Sequence, residues 1–317
     1  MENQPIPKTM LQAVQQFSDP QVAHDFFVQI RWPNGVACPR MGCGSASVAY
    51  LAKYRRWYCN DCKRQFTAKV GTIFEDSPIP FTKWLPAIWL LASNRNGVSS
   101  CELARALGTT QKTAWFMLHR IRLAMGQESF GRLNGEVEAD ETFVGGKLRH
   151  KRRTHYHVPS GMKAVGSVGK TPVLGIVERS NDERQGQARA FVVPSVRKGT
   201  LVPKILENVD SAAKMFTDSL MSYKHLDRYF AAHEVVNHAF EYVRGNAHVN
   251  NVECFWSVLK RTLGGTYVHV LPEHLQAYLN EHIFRFSERT NQDGPRFAKA
   301  VKMVDGKRLT YKALTDK

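Results

Sequence analysis

The sequence predicts a multidomain α/β protein, and three observations carry that prediction. Four of the six cysteines fall between residues 38 and 62, apolar residues recur at helical spacing from Phe81 to Met125, and from Glu136 onward short apolar strands alternate with helices to about residue 290. A chain of 317 residues with 43% hydrophobic content is long enough for about two packed domains. The expected organisation is a helical lead-in over 1–30, a cysteine module over 31–75, a helical module over 76–130, an α/β domain over 131–292 and a basic tail over 293–317. The tail is weakly patterned and is expected to fray.

Charge narrows the partner. Lys and Arg total 44 against 28 for Asp and Glu, a formal net charge of +16. Such a surface favours a polyanion, because neutralising phosphates releases condensed counterions. Double-stranded DNA leads, with an acidic membrane surface well behind. The longest apolar stretch, around Trp84 to Ala92, is far shorter than the ~20 residues that cross a bilayer. The opening MENQPIPKTM lacks the basic-then-apolar layout of a secretory signal, so a cytoplasmic, DNA-associated location is expected.

Within the lead-in, Phe17, Val22, Phe26, Phe27 and Ile30 can pack on the neighbouring cysteine module. In that module Cys38 and Cys43 lie in ACPRMGCGS, Cys59 and Cys62 in WYCNDCKRQF, and the VAYLAKYRRWY between them has the length and alternation of two strands. Two knuckles joined by a hairpin offer four thiolates to one tetrahedral ion, which suits one structural Zn²⁺ per chain, as in a zinc ribbon. The first knuckle is C-x4-C, so its extra residues must bulge, and Gly42 and Gly44 relax the backbone there. Lys53, Arg55, Arg56, Lys63 and Arg64 give the module a cationic rim that fits phosphate contacts, and a purely structural staple is the alternative. Cys101 and Cys254 stand alone inside predicted helices.

The helical module, VSSCELARALGTTQKTAWFMLHRIRLAM, reads as a short helix, a turn at Gly108 and a second helix capped by Thr109 or Thr110. That is helix-turn-helix punctuation. Leu103, Ala104, Leu107, Ala114, Met117, Leu118 and Ile121 form its expected core. Thr110, Gln111, Lys112 and, further on, His119, Arg120 and Arg122 are expected to face outward, with Arg120 as a further DNA-contact candidate. The first three fit a major groove, where Gln bonds an adenine edge and Lys a guanine or phosphate. An interdomain helical hairpin is the alternative. Trp84, Trp89 and Trp115 are read as core.

In the α/β domain GEVEADETFVGGK is a strand with Val137 and Ala139 on one face and Glu138 and Asp140 on the other. PVLGIVER and ARAFVVPSV come next as apolar runs, then GTLVPKILENVDSAA as a helix and KMFTDSLMSY as a strand ending in Asp218. After an intervening helix and a strand near HEVVNH, HVNNVECFWSVLKRTLGG forms an amphipathic helix closed by glycines. Three strands, helix, strand, helix, strand, helix is the order of an RNase H-like domain. It brings Asp140, Asp218 and Glu253 together. Converging carboxylates need a cation, and hard oxygen ligands select two Mg²⁺ or Mn²⁺ ions, the arrangement that supports in-line displacement at phosphorus. Glu141 is expected on the opposite face, and Asp227 on a solvated helix. Asn250, one turn before Glu253, is an alternative third ligand, and Lys260, two turns after it, can reach a phosphate.

The segments CPRMGCGS, RRWYCNDCKRQFTAKVGTIFEDS, KTAWFMLHRIRLAM, VEADETFVGGK, FTDSLMSY and HVNNVECFWSVLKRTLGGTYVHVLPEHLQAYLNEHIFRF resemble insertion-sequence DDE transposases with an N-terminal zinc ribbon, across roughly residues 30 to 290. The resemblance implies that Asp140, Asp218 and Glu253 are the acidic triad, that Lys260 is the basic residue after the glutamate, and that the front end recognises terminal inverted repeats. Some relatives use Asn as the third acid, which keeps Asn250 as the alternative. It also implies a basic insertion at KLRHKRRTHYH, whose Lys151, Arg152 and Arg153 read as a DNA-backbone loop or a solvated one. Bridging two DNA ends implies a homo-oligomer, at least a dimer on DNA. A non-catalytic DNA-binding regulator and a hydrolysis-only nuclease of the same fold are the rival readings.

Overall fold

The computed structural model describes residues 4–126, 131–146, 169–181, 185–236 and 248–316. Lys151, Arg152 and Arg153 lie outside the described residues. In chain order the elements begin with α1 (Met10–Phe17) and α2 (Pro20–Arg31), then β1 (Val48–Leu51), β2 (Arg56–Cys59) and β3 (Gln65–Phe66), then α3 (Phe81–Ser93), α4 (Ser100–Leu107) and α5 (Gln111–Met125). Next come β4 (Glu136–Val144), β5 (Thr171–Glu178), β6 (Ala188–Val192), α6 (Lys198–Asn208), β7 (Lys214–Asp218), β8 (Ala232–Val236), α7 (Asn250–Gly265) and α8 (Leu275–Ser287). The chain closes with α9 (Asp293–Lys302) and α10 (Tyr311–Thr315). Two compact units result, one of residues 1–126 with 288–317, the other of residues 127–287.

The first unit joins the lead-in, cysteine and helical modules around one aromatic core. Thr9 and Gln12 form a capping box that starts α1, and the Asp19 carboxylate accepts the Gln21 and Val22 amides in front of Pro20 to start α2. Phe17, Phe26, Phe27, Phe74, Phe81, Trp84 and Trp89 are buried, and the rings of Phe17 and Phe26 stand 4.8 Å apart. The predicted frayed tail is a correction. Phe297 and Val301, one helical turn apart on α9, are buried in this core, with Phe297 stacked 5.8 Å from Phe26. Gly108 ends α4 at φ +57°, a left-handed turn that suits glycine, and Thr110 caps α5 by accepting the Thr113 amide.

A second correction concerns α5. His119, Arg120 and Arg122 are buried. The chain at 307–309 runs along this helix: Arg120 donates to the Leu309, Ile73 and Glu75 carbonyls, and Lys307 Nζ donates to those of Ala124 and Gly126. The Arg120 guanidinium is thus spent on carbonyls, where a DNA contact was expected. Thr110, Gln111 and Lys112 are exposed, in agreement with their expected outward position.

The second unit is built on a five-stranded sheet of order β6-β5-β4-β7-β8. β4, β5 and β6 pair antiparallel, whereas β4, β7 and β8 run parallel. Strand alternation decides the layers. Val137, Ala139, Leu174, Ile176 and Met215 face one way and pack with Leu201, Val202 and Ile205 of α6. Val173, Val177 and Phe216 face the other way, against Val252, Phe255, Trp256 and Leu259 of α7 and Leu279 of α8. Between β7 and β8 the chain forms two short 3-10 turns, Met221–Tyr223 and Leu226–Arg228, in place of the expected helix. His225 sits between them at φ +74°, which no helix can accommodate.

Glu138 shares the α7 face with Asp140 and is fully buried. A buried carboxylate must be paired and hydrogen-bonded. Arg179 Nε donates to Oε1 at 2.8 Å, and the Asn251 and Val252 amides, unbonded within the first turn of α7, donate to Oε2 at 2.8 and 3.0 Å. Asn251 Nδ2 adds a bond to Oε1, while Arg179 also holds Glu136 and the His248 carbonyl. Glu138 therefore fastens the start of α7 to the middle strand. Arg179→Ala is expected to cost about 3–5 kcal/mol by stranding that charge. Denaturant unfolding checks it, and adding Glu138→Gln should recover part of the loss.

Candidate functional site

The four cysteines converge. Their sulfurs all lie within 4.8 Å of one another, with Cys38–Cys62 at 3.8 Å and Cys43–Cys59 at 3.6 Å. Tetrahedral zinc with Zn–S near ~2.3 Å requires sulfur separations of about 3.8 Å, so the donor set fits Zn²⁺. The longer knuckle bulges at Met41, which is fully exposed, and returns through Gly42 at φ +80° with the Cys43 amide on the Arg40 carbonyl. The Cys62 and Asp61 amides bring the Cys59 thiol down to about 6, while burial pushes Cys38 up to about 12. The rim residues Lys53, Arg55, Arg56, Lys63 and Arg64 are all exposed.

In the second unit, Asp140 in β4 and Asp218 at the end of β7 lie side by side, because parallel pairing in register Ala139↔Thr217 brings the next residue of each strand together. Glu141 joins them, and the carboxylate oxygens of all three lie within 4.8 Å of one another. The expectation that Glu141 faces away is corrected by the end of the sheet. β4 outruns its pairing with β7 after Ala139 and keeps only β5 beside it, so on the β7 side no strand separates the faces there, and the longer Glu141 side chain reaches the cluster. The buried Tyr223 hydroxyl donates to its Oε2 at 2.8 Å.

Each acid is tethered. Asp218 Oδ1 accepts the Leu220 amide at 3.0 Å, and Asp140 Oδ2 accepts the Trp256 indole N–H at 2.9 Å. Among the described residues none of the three has an ion-pair partner. Burial first, with Glu141 and Asp218 alongside, pushes the Asp140 carboxyl up to about 7; burial and Asp218 likewise raise Glu141. Half-buried, mutually repelling acids without a cation are the donor set that a hard divalent ion fits.

This shift has a direct consequence for stability. The folded chain holds the Asp140 proton more tightly than the unfolded chain, so the associated stability is present at low pH. It is lost as pH rises from the ordinary 3.8 through about 7. Without added Mg²⁺ or Mn²⁺ and with the ribbon's zinc left in place, the melting temperature of the parent should fall across that window more steeply than that of Asp140→Asn, measured by scanning fluorimetry.

The other sequence candidates lie on α7. Glu253 in the first turn, Asn250 at the helix start and Lys260 two turns on are all exposed, and Glu253 stands outside the three-acid group. The α7 side chain that touches Asp140 is Trp256, which no motif in the sequence singles out. Gly175 was its signal: a glycine in the middle of the apolar run TPVLGIVE, paired with Asp140 across the sheet.

Comparison with known proteins decides the family. Residues 132–287 match the ISXO2-like transposase domain, and residues 18–65 match the transposase zinc-ribbon domain. The chain belongs to the ISXO2-like transposase family. It is 29% identical over 287 residues to an uncharacterized protein in transposable element ISH50 of Halobacterium salinarum, covering 86% of this chain and 94% of that one. An uncharacterized transposase-like protein of Haemophilus influenzae is 33% identical over 96 residues, 30% of this chain and 77% of that one. This insertion-sequence transposase chain carries its zinc-ribbon cysteines and its acid cluster inside the two matched segments. Among the described residues, no helix is long and apolar enough to cross a membrane.

Proposed function

We propose that the protein binds the terminal inverted repeats of an insertion sequence and catalyses metal-dependent DNA strand cleavage and strand transfer from an RNase H-like domain. The observation that carries this reading is the convergence of Asp140, Asp218 and Glu141 at adjacent parallel strands, with no basic partner among the described residues. The five-stranded sheet with α6 on one face and α7 on the other supports the RNase H-like reading of this domain.

Asp140 and Asp218 hold the divalent ions, and Glu253 or Asn250 completes the set from the start of α7. When bound, Mg²⁺ or Mn²⁺ neutralises charge at the scissile phosphate and activates the attacking oxygen. Lys260, exposed on the same helix, grips a phosphate near the reacting one. Positioning of the DNA supplies much of the rate. Thr110, Gln111 and Lys112 enter a major groove from the start of α5, the ribbon rim tracks the backbone, and Lys151, Arg152 and Arg153 add backbone contacts. Joining two ends takes at least two copies, and the work is done in the cytoplasm, on DNA.

The test is purified protein with Mg²⁺ and a duplex carrying the ends of the element that encodes it. Nicking at the end and then joining of the freed 3′-hydroxyl to target DNA is expected. Nicking without joining would identify a hydrolytic nuclease, and binding without cleavage a regulator.

A further inference from the structure

We infer that Trp256 is a positioning residue for the acid cluster: its indole N–H holds one oxygen of Asp140 and so aims the other at the metal. This rests on the metal-centre function proposed for the cluster. Trp256 is almost fully buried, and its only polar side-chain atom is committed to Asp140 Oδ2 at 2.9 Å. The bond crosses from α7 to the middle strand of the sheet. It links the helix that carries Glu253 and Lys260 to the central acid.

Three features build a seat for this indole. The first is the absence of a side chain at Gly175: a Cβ there would lie 2.4 Å from Trp256 Cζ2 and 2.7 Å from Cη2. Glycine weakens a strand interior, and in this otherwise apolar run it stands directly opposite Asp140, where a ring must pass over the backbone. The second is the packing of Phe255, whose ring meets the indole edge-on with centroids 5.0 Å apart. The third is the anchor at Glu138, two residues before Asp140 on the same face, which fixes the first turn of α7 through the Asn251 and Val252 amides. With its helix start pinned and its ring seated over Gly175, the N–H has one place to point.

A carboxylate with one oxygen bonded to a fixed donor loses its freedom to rotate, and the other oxygen is presented in a set direction. Partners of this kind around metal ligands typically change affinity about 10–100-fold when removed. A tryptophan that merely fills the core and satisfies its N–H on the nearest acceptor would leave metal affinity alone.

The experiment measures Mn²⁺ binding to the full chain by the free-ion electron paramagnetic resonance signal, for the parent, Trp256→Phe and Asp140→Asn. Trp256→Phe is expected to keep its circular dichroism and to bind Mn²⁺ about 10–100-fold more weakly, with excess Mn²⁺ restoring occupancy; Asp140→Asn should lose the site. Equal affinity in parent and Trp256→Phe overturns the inference and leaves the metal centre intact. A parent that binds no Mn²⁺ overturns both. A second measurement needs no folded Phe variant: among the six tryptophans, one indole N–H resonance should move on Mg²⁺ addition, and Asp140→Asn should displace that same signal. No moving indole signal would count against the proposal.

Discussion

Cys59→Ser should leave the protein without zinc and the ribbon without its fold. Elemental analysis of the parent is expected to give one Zn per chain and that of the variant close to none. The size of the effect comes from how little else holds this module. Its three strands have four, four and two residues, too few for an independent sheet. Its buried aromatic residues are Trp57 and Phe66, stacked on each other at 5.8 Å. Structural zinc in comparable small modules supplies about 10–16 kcal/mol at neutral pH, so losing one thiolate removes most of what orders residues 38–66. Limited proteolysis should then cut within that stretch in the variant and spare it in the parent. A native, protease-resistant protein free of metal would contradict the zinc assignment.

Much of this architecture was legible because it depends on short-range pattern. Alternation in GEVEADETF placed Val137 and Ala139 on one face and Glu138 and Asp140 on the other, which is how the sheet is layered. The cysteine spacing found the four converging sulfurs, and Gly108 marked the turn between α4 and α5.

What the sequence hid depends on partners far along the chain. Arg120 sits at an outward position by helical spacing, but one of the carbonyls that bury it belongs to Leu309, 189 residues away. Glu138 read only as a neighbour of Asp140, since its partners Arg179 and Asn251 lie 41 and 113 residues on. Glu141 reached the cluster because β4 extends past its pairing with β7, an end effect that alternation ignores. The tail was different. Phe297 and Val301 are four apart, a helical signal that the surrounding lysines and arginines obscured.

Asp140→Asn should abolish DNA cleavage with little change in fold. Asparagine keeps an oxygen that can accept the Trp256 indole N–H, while the charge that attracts a divalent ion is gone. Removing a ligand that stabilises the transition state through the metal is expected to cost about a thousandfold or more in rate, about 4 kcal/mol. The decisive measurement is therefore Mg²⁺-dependent nicking of an end-sequence duplex by the parent and by Asp140→Asn at equal DNA occupancy. The acid cluster as catalytic centre predicts nicking by the parent and background rates for the variant. Normal cleavage by Asp140→Asn would contradict it.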